Sequence, residues 1–228
     1  IGTPLGEGRV YDSNRYTIFG MLTRMGCEVL DLGVVRDDPA TMEAAFREAA
    51  AAADVVISSG GVSVGEADFV KGLMAELGEV LFWKIAMKPG RPMAFGRIRV
   101  DGEEICGERG GAAWLFGLPG NPVAVMVTFY QFVREALYAL MGADPVPVVP
   151  LLPALCTGAL KKVAGRTEFQ RGILSLMDGQ WRVRPAAAQG SGVLRSMADA
   201  NCFIVLEHDR GNVAAGDQVG VQLFDGLV

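Results

Sequence analysis

The run Ser58-Ser59-Gly60-Gly61-Val62-Ser63-Val64-Gly65-Glu66-Ala67-Asp68 brings bare backbone amides, small hydroxyls and a carboxylate together. Glycine amides can approach an anion closely, and a nearby carboxylate can share a divalent cation with it, so the run suits a phosphate ester. The same residues also make an ordinary Gly-rich turn between a strand and a helix. Taken alone, the run leaves both readings open.

Three other stretches invite a similar question. In Arg36-Asp37-Asp38-Pro39 one aspartate suits a helix cap and the other the helix dipole. If the sheet brings Asp37 and Asp68 to one edge, they form a pair of carboxylates suited to Mg²⁺ on a phosphate. In Lys84-Ile85-Ala86-Met87-Lys88-Pro89-Gly90-Arg91-Pro92 the lysines fall on one face of an expected strand, their Cα atoms roughly 13 Å apart at about 3.3 Å per residue. That spacing fits a ligand with several anionic groups, or two solvated surface lysines. In Pro119-Gly120-Asn121-Pro122, Asn121 is a good N-cap and Pro122 a good first helical residue. The amides that follow could bind an anion or simply start the helix. Further along, Arg171 before Gly172 and Ser191 between Gly190 and Gly192 are residue types suited to an oxyanion, and equally common in β-turns.

Periodicity indicates which elements must position these groups. Helices are expected over 14–25, 39–52 and 69–77, with strands over 28–35, 55–59 and 80–88. This alternation predicts an α/β domain with a mostly parallel sheet covered by helices on both faces, its strand ends and loops along one edge. A hairpin over 95–106 turning at Asp101-Gly102 and a long helix from Pro122 to about Met141 follow. Prolines 145, 147 and 150 mark a linker. Beyond it, short strands over 182–185, 202–207 and 219–224 predict a small all-β, barrel-like domain. The division falls between 1–144 and 145–228.

Composition narrows the classes. The chain has 228 residues, half of them hydrophobic, and a net charge of −5, which disfavours a broad nucleic-acid surface. Charged, Gly or Pro positions interrupt the apolar runs before membrane-spanning length. Cys27, Cys106, Cys156 and Cys202 lack metal-site spacing and read as buried free thiols of a reducing compartment. The chain opens on Ile1 without a signal-peptide pattern and reads as a piece of a longer polypeptide, with a first strand expected upstream.

Taken together, the strings Asp12-Ser13-Asn14, Arg36-Asp37-Asp38-Pro39, Gly60 to Asp68, Lys84 to Pro92 and Leu118-Pro119-Gly120-Asn121-Pro122 occur in an order that resembles the molybdopterin molybdenumtransferases, relatives of the gephyrin E domain. Phe169-Gln170-Arg171-Gly172, Gln189-Gly190-Ser191 and Asn201 to Leu206 extend the resemblance over almost the whole chain. It implies a molybdopterin-binding fold in a cytoplasmic homodimer that inserts molybdate into adenylylated molybdopterin and releases AMP. It also implies a possible handover from the adenylyltransferase of the same pathway, with neither nucleic acid nor membrane as partner. Full-length members carry N-terminal domains beyond this chain, so the fragment alone is expected to be inactive or impaired. By the same resemblance, Asp37 and Asp68 hold Mg²⁺ at the phosphate end, and Lys84 and Lys88 bind ligand and oxyanion. Gly60, Gly61, Ser63, Pro119, Gly120 and Asn121 line the substrate site, and Arg171 and Ser191 reach the molybdate. Where some relatives have Ser after Pro-Gly-Asn-Pro-Val, this chain has Ala124. The competing expectations are a molybdopterin adenylyltransferase and a non-catalytic, gephyrin-like scaffold.

Overall fold

The computed structural model describes residues 4, 6, 7, 10–36, 38–60, 67–100 and 111–224, with backbone only at 67–71 and 83. They form two compact units: Ile1–Trp83 with Pro92–Gly120, and Lys84–Arg91 with Asn121–Val228. The proline-marked stretch that suggested a division at 144–145 lies inside the second unit, and the helix before it groups with the barrel strands.

In the first unit, α1 (Asn14–Arg24) and α2 (Pro39–Ala52) precede β1 (Val55–Ser59), followed by α3 (Ala67–Leu77), β2 (Gly78–Lys84), β4 (Pro92–Arg99) and β5 (Ala112–Leu118). The sheet order is β1-β5-β4-β2. β1 runs parallel to β5, Val55 opposite Trp114 and Ser59 opposite Leu118, whereas β4 runs antiparallel to β5. The sheet is therefore mixed, which corrects the expectation of a mostly parallel one. Consecutive strands β4 and β5 pair directly, and a parallel pairing would need a crossover. α2 and α3 share one face of the sheet rather than dividing between two, burying Phe46, Ala50, Leu73, Met74 and Leu77 on Val56, Ala94, Ile98, Ala113 and Leu115.

The strand expected over 28–35 does not form; residues 27–36 have no regular structure. Asp31 is the reason: its carboxylate accepts the Gly33 N–H at 2.9 Å and Gly33 takes φ +74°, a local turn inside the would-be strand. Arg15 ties the turn to α1, its Nη1 lying 3.1 Å from Asp31. The Gly33 amide and Arg15 hold the Asp31 carboxyl below its ordinary range. The Asp101-Gly102 turn lies outside the described residues.

In the second unit, β3 (Met87–Lys88) leads, and a helix of α4 (Pro122–Thr128), a π-turn (Phe129–Val133) and α5 (Arg134–Leu140) follows. By length and composition Pro122–Leu140 could cross a membrane, contrary to the expectation of no such run, but 56% of its window is buried inside the protein. Then come β6 (Leu152–Cys156), β7 (Thr167–Met177), β8 (Gln180–Pro185), the short α6 (Arg195–Ala198), β9 (Cys202–Leu206) and β10 (Gln218–Leu223). The order β7-β8-β6-β10-β9, with β9 pairing back to β7, closes a barrel as the sequence predicts, and β3 attaches to β7. Cys156, Leu174, Val183, Ile204 and Val221 fill its core. Cys202 joins them, and burial pushes its thiol up to about 12.

The expected single strand 80–88 is broken at Ile85-Ala86. Lys84 ends β2, whereas Met87 and Lys88 pair in parallel with Thr167 and Glu168, so the two lysines belong to different sheets. Pro89, lacking an N–H, cannot extend the ladder. Gly90 then takes φ +103°, and a Cβ there would meet Thr128 Cγ2 at 2.6 Å.

Two outcomes follow from these local constraints. Gly90→Ala should lower stability by roughly 2–4 kcal/mol, from left-handed strain plus overpacking, measurable by urea unfolding. The second concerns Asp38, which caps α2 by accepting the Thr41 N–H at 2.9 Å. Hydrogen bonds from the Thr41 side chain and backbone hold its carboxyl below the ordinary value. Because the folded value is the lower one, the cap persists above the unfolded value near ~3.9 and is lost as pH falls through the folded one. The Thr41 amide resonance should titrate with a midpoint below that unfolded value, and Asp38→Asn should flatten the titration.

Candidate functional site

The first unit gathers its polar groups at one edge of the sheet. β1 and β5, being parallel, end together at Ser59 and Leu118. α2 returns into β1 through residues 53 and 54, so its N-terminus, with the Asp38 cap, lies toward the same edge, and α3 departs from that edge. Asn14, at the start of α1, joins the two strand ends: its Nδ2 donates to Ser59 Oγ at 2.9 Å and to the Gly120 carbonyl at 2.7 Å. Ser59 Oγ donates in turn to the Pro119 carbonyl at 3.2 Å. Gly60 takes φ +91° and donates its N–H to Leu118 at 3.1 Å. That amide is therefore used in holding the turn, and any anion would have to meet the amides beyond it.

Among the other expected groups of this edge, Asp37, Gly61 and Ser63 lie outside the described residues. Asp68 stands in the first turn of α3, with its side chain outside them. Asn14 was visible only inside a family string, because nothing in its type or spacing reveals that it bridges residues so distant in the chain.

The second unit presents a separate set. Asn121 occupies the N-cap position of α4 without a side-chain cap bond. The Val123 N–H, which the sequence offered to an anion, donates instead to the Ser191 carbonyl at 3.0 Å. Ser191 is thus half-buried against the helix start, beside Gly192, whose added Cβ would lie 3.9 Å from Asn121 Oδ1.

Arg171 holds the loop that carries Ser191. It is 1% exposed, and its Nε donates to Ser196 Oγ at 3.2 Å. Its Nη2 donates to the carbonyls of Ala188 at 3.1 Å and Gly190 at 3.2 Å. Gln189 completes the clasp, accepting the Arg171 N–H at 3.0 Å and donating to its carbonyl at 2.8 Å. Among the described residues no carboxylate pairs with this guanidinium, and burial pulls its pKa down from the ordinary value. Arg171 therefore has a structural task that the sequence does not disclose, and Ser196 carries no signal that would have found it.

Lys84 is exposed. Lys88 faces Glu168, its Nζ 3.6 Å from Oε2, while Arg166 Nε donates to Oε1 at 2.9 Å. Glu168 itself is 1% exposed.

The chain thus combines a mixed α/β sheet with a small β-barrel. The chain belongs to the family described as "Probable molybdopterin binding domain", whose profile matches residues 1–139, and residues 153–224 match the MoeA C-terminal region (domain IV). It is 45% identical over its whole length to a molybdopterin molybdenumtransferase of Haemophilus influenzae, of which it covers 54%. It is 32% identical over 95% of its length to a namesake from Nostoc, covering 48% of that protein. Among solved structures, a molybdopterin biosynthesis MoeA protein of Pyrococcus horikoshii matches with TM-score 0.77 and 29% identity, over 99% of this chain and 51% of that one. The chain thus spans about half the length of the relatives it matches.

The Arg171 clasp predicts its own test. Lysine has one ammonium where arginine has a fork, so Arg171→Lys should lose the Ser196 or the loop contacts and about 2–3 kcal/mol of stability. Amide exchange in residues 188–196 should quicken more than in β6 or β10.

Proposed function

We propose that the protein inserts molybdate into adenylylated molybdopterin and releases AMP. The observation that carries this reading is the edge where parallel β1 and β5 end together, bridged by Asn14, with Asp68 in the first turn of α3, the next helix in the chain. It is supported by the match of both parts of the chain to the same biosynthetic family. The barrel part favours insertion over the preceding adenylylation, since its match is to the C-terminal region of MoeA.

In this reading the adenylylated pterin lies along the sheet edge, with backbone amides beyond Gly60 on its phosphates. Among the described residues no cluster of three or more His, Cys, Asp or Glu side chains is formed. Mg²⁺ prefers few protein carboxylates completed by phosphate oxygens and water, and Asp37 and Asp68 are two carboxylates that the sequence motifs supply. Asp37 and Asp68 would hold it; when bound it neutralises charge on the phosphoanhydride. Lys84 and Lys88 compensate the remaining negative charge, and Ser191, on the loop held by Arg171, faces the oxyanion. Water attacks the phosphoanhydride, whose P–O bond breaks so that AMP leaves and the pterin keeps its own phosphate; the two dithiolene thiols bond molybdenum, their protons departing with one molybdate oxygen as water. The working form is a cytoplasmic homodimer that receives its substrate from the pathway's adenylyltransferase.

In the full-length protein, Asp68→Asn should slow AMP release from adenylylated molybdopterin roughly a hundredfold or more, with the substrate still bound. Unchanged turnover at saturating Mg²⁺ would remove Asp68 from the site. Formation of adenylylated product from ATP and molybdopterin, without molybdate, would instead identify the preceding step as the activity.

A further inference from the structure

We propose that Glu168 is a positioning residue for oxyanion capture, acting through Lys88; this rests on the molybdenum-insertion reading above. Glu168 begins as a problem in burial. Its carboxylate is 1% exposed, and a buried charge needs partners on its own side of the strand. Arg166 Nε supplies one at 2.9 Å on Oε1. Gln170 Nε2 supplies another at 3.2 Å on Oε2. Arg166 and Glu168 already balance in charge, so Lys88, 3.6 Å from Oε2, is not needed to neutralise the carboxylate. The cluster carries one surplus positive charge, and Lys88 is its more exposed cation, at 55% against 36% for Arg166.

The backbone makes this tether necessary. β3 has only the two residues Met87 and Lys88, matched with Thr167 and Glu168 of β7. One further bond, from the Thr167 N–H to the Ala86 carbonyl at 2.9 Å, steadies the segment. That fixes the Lys88 Cα but leaves four side-chain torsions free, and an ammonium so placed samples many positions. A carboxylate locked by Arg166 and Gln170 narrows them to one region without cancelling the charge. Lys88 thus stays available to an anion while Glu168 sets where it waits.

Glu168→Gln removes the charge and keeps the shape. In the purified protein with adenylylated molybdopterin, E168Q should raise the KM for molybdate roughly five- to tenfold with kcat little changed. K88M should raise it at least as far, and E168Q/K88M should be no worse than K88M alone. An E168Q effect that keeps its full size in the K88M background overturns the proposal, as does a fall in melting temperature with KM unchanged, because Glu168 then only supports the fold. A second measurement needs no turnover: acetylation of Lys88 by acetic anhydride, followed by peptide mass spectrometry, should quicken several-fold in E168Q. An unchanged rate overturns the tether. Quickened acetylation in a full-length protein with no molybdate-dependent turnover overturns the insertion reading and the oxyanion role together, and that result differs from failure of the tether.

Discussion

β7 divides its pairing between its two barrel neighbours. Residues 168–172 pair with β9 and residues 172–177 with β8, and Gly172 takes part in both ladders, opposite Cys202 and Pro185. A side chain at Gly172 would meet Val183 Cγ2 at 2.8 Å and Ile204 Cγ1 at 2.9 Å, so the crossing closes only over a bare Cα. The strand ahead of that crossing carries Glu168 and Arg171. The alternation of a strand sends them to opposite faces. Two opposite charges three positions apart therefore do not pair, and each is left to organise a different piece of chain: Glu168 the Lys88 segment, Arg171 the loop that leads to Ser191 and the start of α4.

The first unit uses a different device. Its edge depends on two parallel strands ending level, and parallel neighbours gain no hairpin to hold their ends together. The Asn14 amide does that work, with two donors on one nitrogen reaching Ser59 Oγ and the Gly120 carbonyl. Loops that must hold a ligand lie on the surface with few backbone partners of their own. The Asn14 bridge therefore fixes the end of β1 and the turn after β5 against each other.

Where a local signal decided the structure, the chain could be read from its residues. α2 begins at Pro39 after a capping aspartate and ends at Ala52, and β1 spans the apolar run before Ser59, both as the pattern predicts. The barrel strands near 182–185, 202–207 and 219–224 were legible through their turns for the same reason. Failures came where a contact that the pattern does not show decided, local in one case and distant in the other. Residues 28–35 have strand composition, but the Asp31–Gly33 turn intervenes. Lys84 and Lys88 alternate as one strand would, yet Met87 and Lys88 pair with β7 (Thr167–Met177), Met87 opposite Thr167, eighty residues downstream. Of the site, residue types were legible and contacts were not: no spacing rule links Asn14 to Gly120, or Arg171 to Ser196.

Charge explains how an acidic protein can still hold anions. The chain is −5 overall, but at physiological salt exposed charges more than about 8 Å apart are largely screened, so the local balance governs a ligand. Two local balances in the second unit are positive. Around Glu168, Arg166 and Lys88 leave a surplus of one. Among the described residues the Arg171 guanidinium meets carbonyl and hydroxyl oxygens, which take its hydrogen bonds without cancelling its charge. Burial lowers the Arg171 pKa, but from an ordinary value so high that the group remains charged at neutral pH. A buried cation balanced only by dipoles favours an anion more than a surface ion pair does, since no counter-ion has to be displaced first. Among the described residues the Arg171 charge is thus met by dipoles, with no carboxylate beside it.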